Sequence, residues 1–123
     1  MKLFMMVGMG GFLGSSLRYL IQKYTLIAVQ TTFPYVTLAI NLIGCFLIGL
    51  VFGLCNTKQG LISTEMQFFL VSGFCGGFTT FSAFSHESLL LLKDGNYNFF
   101  FLYIILSVFI GIGSTFFGYL CIK

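Results

Sequence analysis

Gly73-Phe74-Cys75-Gly76-Gly77-Phe78-Thr79-Thr80-Phe81-Ser82-Ala83-Phe84, followed by His86 and Glu87, lies inside a stretch apolar enough to cross a membrane. A helix that only anchors a protein in lipid has no use for glycines, hydroxyls and a carboxylate near its middle. Each polar group there costs free energy unless it finds a partner. A helix that handles an ion does use them, so this stretch points to transport.

Working outward, 58% of the 123 residues are hydrophobic and 7% are charged, which excludes the soluble globular class. Six Lys/Arg against three Asp/Glu leave a formal charge of +3. The charges stand singly, without the basic run that nucleic acid or a lipid-surface patch requires, so nucleic acid is excluded as a partner. Apolar runs fall at residues 3–21, 35–55, 66–92 and 98–122, each near or above the ~20 residues of a spanning helix. The connectors hold Gln22-Lys23 onward to Pro34, then Asn56-Thr57-Lys58-Gln59-Gly60, then Lys93-Asp94-Gly95-Asn96. The expected fold is an all-α integral membrane protein, one four-helix transmembrane domain over residues 1–123, in a lipid bilayer and most naturally the bacterial inner membrane.

The first run follows Lys2 and could be read as a secretory signal. It contains Gly8, Gly10, Gly11, Gly14 and Arg18, with no small-x-small cleavage site before a soluble remainder, and reads as a mature helix. Cys45, Cys55, Cys75 and Cys121 form no C-x-x-C pair and read as small apolar residues, not as a zinc site or disulfide framework.

With four alternating helices, Lys2, Lys58 and Lys123 share one side of the membrane and Arg18, Lys23 and Lys93 the other. Three against three gives no orientation signal, since orientation follows an excess of Lys/Arg in cytoplasmic loops. Six charges can divide evenly by chance, and Arg18 can lie within the helix. The sharper reading is dual topology, in which two copies pair head to tail and reproduce the inverted repeat that many transporters encode in one chain. Small residues suited to helix contact recur at Gly10 and Gly14, Gly49 and Gly53, and Gly111, Gly113 and Gly118. They fit a homo-oligomer or packing within one chain.

Polar residues mark three helices. Thr37, Asn41 and Gly44 share a face of the second, where Asn41 is either an interhelical clamp or a donor to a permeating anion. Tyr103, Ser107, Gly111 and Ser114 form a stripe on the fourth, with Tyr103 readable as an interfacial anchor or as part of a polar track. The third run, 27 residues long, exceeds a straight span, and Gly73, Gly76 and Gly77 leave room for a break near its centre. Unwound backbone at membrane depth is tolerated where it is buried in protein or lines a site, and freed carbonyls suit a cation. Beyond the break, Thr80, Ala83, Phe84 and Glu87 share a face. Phenylalanines three apart usually pack, although a ring edge is positive and can meet an anion. Glu87 is the one acidic residue well inside a span, which makes it a functional candidate unless solvated near the helix end. His86 reads as a surface residue, and Arg18 as a snorkelling cation or a partner for freed carbonyls.

These residues resemble the Fluc/CrcB fluoride channel family over essentially the whole chain. The first-helix signature is Gly10-Gly11-Phe12-Leu13-Gly14-Ser15-Ser16-Leu17-Arg18-Tyr19. The second is Pro34, Thr37-Leu38, Asn41, Gly44 and Gly49, and the third is Gly73 through Ser82 with Glu87. The resemblance implies an antiparallel, dual-topology homodimer with two pores that exports fluoride passively and protects the cell from its toxicity. It also implies a structural sodium ion at the dimer centre, held by the carbonyls of Gly76 and Thr79 in a broken third helix, with Gly77 and Arg18 structural. Phe81, Phe84 and Asn41 match pore residues. Ser82, Thr37, Tyr103 and Ser107 match the polar route, and Glu87 a carboxylate near its end. Ala83 and Val36 depart from the hydroxyl and the glycine that relatives often carry there.

The main rival, a proton-coupled exporter similar to the small multidrug transporters, fits the size and charge balance. Those proteins carry a carboxylate in the first helix and a cavity tryptophan, and this chain has neither. A non-transporting assembly subunit leaves the three ordered motifs unexplained. Enzymatic activity is not expected, because no nucleophile, histidine and carboxylate set or paired aspartates occur.

Overall fold

The structure, a computed structural model, describes residues 1–28, 31–57 and 61–122. Every regular element among them is helical. Helix α1 runs Lys2–Ala28 and α2 Tyr35–Cys55. A third span, Thr64–Lys93, comprises α3 (residues 64–78) and α4 (Phe81–Lys93), and α5 is Tyr97–Leu120. Within these, Phe68–Cys75 and Leu106–Ile110 are wound as π-helix. Four spans are long and apolar enough to cross a membrane, and large apolar side chains such as Phe12, Phe109 and Phe116 are exposed, as a lipid-facing surface requires.

The second and fourth spans follow the apolar runs closely. The first does not: Gln22 and Lys23 were expected in a connector and instead continue α1 to Ala28. Polar residues leaving the hydrocarbon do not stop a helix, and no glycine or proline intervenes before Pro34. Lys58 and Lys123 of the charge count, with Val29, Gln30, Gln59 and Gly60 of the connectors, lie outside the described residues.

Local chemistry accounts for the ends. Ser63 Oγ accepts the Met66 N–H (3.3 Å) and caps α3, whose first turn carries Glu65, ion-paired at 3.2 Å with Lys2. That pair is exposed to solvent and adds little to stability. Helix α4 ends in a Schellman turn: Asn96 N–H donates to Leu91 O (2.9 Å), Gly95 N–H to Leu92 O (3.1 Å), and Gly95 takes φ +74°, which a glycine adopts without strain.

The glycine stripes are spent within the chain. Gly10 and Gly14 of α1 lie directly on α3, where an added Cβ would meet the amide nitrogens of Phe74 and Phe78 at 2.8 Å. Gly77 faces back onto the Gly11 carbonyl and the Ser15 nitrogen. On the other side of α2, Gly49 and Gly53 receive the backbone of Thr115 and Tyr119, and Gly118 that of Phe46. Only Gly8 and Gly113 of the stripes' neighbourhood face open space. Gly113 apart, the stripe glycines are thus accounted for by packing within one chain. Gly73, Gly76 and Gly77, where the sequence offers slack for unwinding, are themselves helical.

Gly77→Ala is expected to push α1 and α3 apart and cost about 1–3 kcal/mol, the usual range for overpacking. Gly76→Ala is expected to leave the packing within the single chain undisturbed, because its Cβ would meet Val71 O at an ordinary 3.7 Å. Thermal denaturation followed by gel filtration in detergent separates the two.

Candidate ion pathway

Between α3 and α4 two residues leave the helical region. Thr79 has φ −83°, ψ 155° and Thr80 has φ −151°, ψ 119°. At membrane depth the backbone groups released here need partners, and three neighbours supply them. Asn41 of α2 binds Thr80 twice: Thr80 N–H donates to Asn41 Oδ1 (2.9 Å), and Asn41 Nδ2 donates to Thr80 O (3.3 Å). Arg18 of α1 donates from Nε to Gly77 O (3.1 Å). The Cys75 carbonyl accepts both the N–H (2.9 Å) and the hydroxyl (2.7 Å) of Thr79.

One consequence concerns Gly76. In a continuous helix its carbonyl would receive the Thr80 N–H, and that hydrogen goes to Asn41 instead. Gly76 is also exposed on the surface of the single chain. The same α2 face seats the whole region, since Gly44 lies against the Thr79 methyl group and the Phe78 ring.

Helix α4 restarts with Thr80 as its cap: Thr80 Oγ1 accepts the Ala83 N–H (3.3 Å) and shares a hydrogen bond with Ser82 Oγ (3.0 Å). Two turns on, Glu87 is clasped from both sides. Thr37 Oγ1 donates to Oε1 (2.6 Å) and Tyr103 Oη to Oε2 (2.7 Å), both at the short end of the O–H···O range. Both donors are buried, Thr37 being 2% and Tyr103 0% exposed. Glu87 borders a cavity of about 650 Å³ that also takes in Gln22, Thr31, Phe33 and Asp94.

The rings form a continuous line. Phe84 stands 5.0 Å from Tyr103 and 5.6 Å from Phe81 between centroids. Phe84 is half-buried, whereas Phe81 is 79% exposed and faces away from the chain's own core. One turn along α5 from Tyr103, Ser107 Oγ is buried and has no hydrogen-bond partner among the described residues. Interior hydroxyls are rarely left so.

A full-length match decides the family. The CrcB-like protein, Camphor Resistance (CrcB) family matches residues 5–119. The chain belongs to the CrcB family. A relative from Flavobacterium psychrophilum named Fluoride-specific ion channel FluC is 50% identical, over 100% of this chain and 98% of its own length. Relatives of the same name from Leptospira interrogans (44%; 99% of this chain, 95% of theirs) and Phocaeicola vulgatus (46%; 96% of each) agree. With four spanning helices and channel relatives, the chain is a multi-pass membrane protein.

The structure thus brings Thr37, Glu87 and Tyr103 together, joins Phe84 to Tyr103 and Phe81, and sets Gly76, Gly77, Thr79 and Ser82 around the interruption. Asn41 acts as a clamp, with both amide ends on Thr80 and one Nδ2 hydrogen left over. Arg18 does bind a released carbonyl. His86 is exposed. Two residues escaped the sequence reading. Thr80 is the hub that Asn41 grips, signalled by a hydroxyl three residues before a backbone N–H needing a cap. Phe33, signalled by its place before Pro34 at a helix start, is buried in a connector.

Asn41→Leu leaves two Thr80 backbone groups without partners and is expected to destabilise by about 1–3 kcal/mol per buried group. Asn41→Asp keeps the acceptor for Thr80 N–H, loses the donor to Thr80 O, and should fall between Leu and wild type in thermal stability.

Proposed function

We propose that this chain forms a fluoride-selective channel through which the ion leaves the cytoplasm passively, protecting the cell from fluoride. It is a channel and not an enzyme, and its natural setting is a bacterial inner membrane. The observation that carries this is the full-length likeness to relatives named fluoride-specific channels. The chemistry of the side chains near the interruption supports this reading. Fluoride is small and strongly hydrated, so its passage needs donors and positive edges at close range without a fixed cation to trap it. Phe81 and Phe84 offer ring edges. The free Nδ2 hydrogen of Asn41 and the hydroxyls of Ser82, Thr37, Tyr103 and Ser107 offer neutral donors, with Glu87 at the end of the track beside the cavity. The partnerless Ser107 oxygen supports this reading, because an interior hydroxyl kept without a protein partner is free for a passing ion or its water.

The functional form is an antiparallel, dual-topology homodimer. The balanced Lys/Arg count supports it, as does the exposure of Phe81 and Gly76, which one chain leaves on its outer surface. In the dimer, the interrupted third span holds a structural sodium ion. The residues fit such an ion: Thr80 N–H is diverted to Asn41, which leaves the Gly76 carbonyl without its helical donor, and Thr79 is extended beside it. Gly76 and Thr79 of each chain would hold sodium through neutral backbone oxygens, the ligands a hard monovalent cation prefers. Bound there, sodium would supply positive charge between the two interruptions, while Arg18 already occupies the Gly77 carbonyl and would keep it out of the ligand set.

In liposomes the purified protein is expected to release fluoride and retain chloride; comparable chloride release would remove the fluoride reading. Phe81→Ile and Phe84→Ile keep apolar bulk but lose the ring quadrupole, and should cut fluoride efflux about tenfold or more at an unchanged gel-filtration position. In the same assay, a variant with lysines added to one connector should be inactive alone and active when co-expressed with its oppositely biased counterpart.

A further inference from the structure

Phe33 sits in the connection between α1 and α2, outside every spanning segment, yet it is only 3% exposed. Its backbone is pinned twice, because its carbonyl accepts the Thr31 hydroxyl (3.0 Å) and the Tyr35 N–H (2.9 Å). Pro34 restricts it further to extended backbone. Its ring meets Tyr103 edge to face at 5.6 Å and 77°, and Phe99 at 5.7 Å and 75°. With Leu38, Leu91 and Tyr103 it forms the buried apolar cluster of this end of the molecule.

Tyr103 is consequently held at three points: its hydroxyl on Glu87, one ring contact with Phe84, and one with Phe33. A tyrosine side chain has two rotatable bonds. A hydrogen bond at its tip leaves the ring free to swing about the line to that bond, and packing on either side removes the freedom. Phe84 is itself a candidate pathway ring, so the ring contact on Tyr103 that comes from outside the pathway is Phe33.

We propose that Phe33 is a positioning residue of the ion pathway, an aromatic strut that fixes the Tyr103 ring and, through it, the Glu87 carboxylate and the Phe84 ring. The proposal rests on the fluoride-channel reading for its functional consequence but not for the contact itself. It makes the α1–α2 connection part of the permeation apparatus. A plug that merely fills space there would tolerate aliphatic replacement.

The test pairs fluoride efflux from liposomes with ultraviolet resonance Raman spectra of the tyrosine hydrogen-bond doublet. Subtracting the spectrum of the same protein carrying Tyr103→Phe isolates Tyr103. Phe33→Leu is expected to elute like wild type, to alter the Tyr103 signature, and to lower efflux about tenfold, the size of one lost ring contact. Phe33→Tyr, which keeps the aromatic ring, should keep wild-type efflux. Should Phe33→Leu fail to fold, Phe33→Met offers a more adaptable apolar chain and carries the same expectation. An unaltered Tyr103 signature in the aliphatic variant overturns the proposal, as does equal impairment by Tyr and Leu. Absence of fluoride efflux from wild type would instead sink the channel reading, and the Raman comparison would still decide whether Phe33 holds Tyr103.

Discussion

The two hydrogen bonds between the Asn41 side chain and the Thr80 backbone are the interaction on which the rest of this structure depends. A spanning helix cannot stop in hydrocarbon unless something else satisfies the groups it releases. A side-chain amide has one acceptor and two donors, and so can replace a backbone N–H and a carbonyl at once. Asn41 does this from a neighbouring helix. With the interruption so secured, Arg18 can take the Gly77 carbonyl, the Gly76 carbonyl loses its helical donor, and α4 can restart on the Thr80 hydroxyl with Phe81 and Phe84 at its beginning.

The same face of α2 carries the whole construction. Thr37 reaches Glu87, Asn41 reaches Thr80, and Gly44 makes room for Thr79. Spacing of three and four residues places these three on one stripe, so a single rigid helix registers the carboxylate against the interruption. The glycine contacts between α1 and α3 perform a parallel service by bringing Arg18 within reach of Gly77.

Much of this was legible in the sequence, for reasons that differ by element. The four spans could be read because lipid demands about 20 apolar residues for each. The bounds of α2 emerged from Pro34 and Asn56-Thr57, which punctuate it. The end of α1 did not, since Gln22 and Lys23 are polar without being helix breakers. Face sharing identified Thr37 and Asn41, but spacing names a face and not what it meets. That Asn41 grips the Thr80 backbone could not be read from spacing, which does not say what stands opposite a face. The glycines of the third span are themselves helical, and the value of Gly73 and Gly77 is close approach to α1. For Phe33 the one signal is its place before Pro34, which says nothing of the rings it touches.

Asn41 takes the place of the helical partner that Thr80 has lost. Site-resolved hydrogen–deuterium exchange of the Thr80 amide, by NMR in lipid nanodiscs, tests it most directly. The account predicts that this amide, although outside helical geometry, exchanges slowly in the wild-type protein and fast in Asn41→Ala, while amides deep in α2 exchange alike in both. Rapid exchange at Thr80 in the wild type, or slow exchange that survives Asn41→Ala, would contradict it.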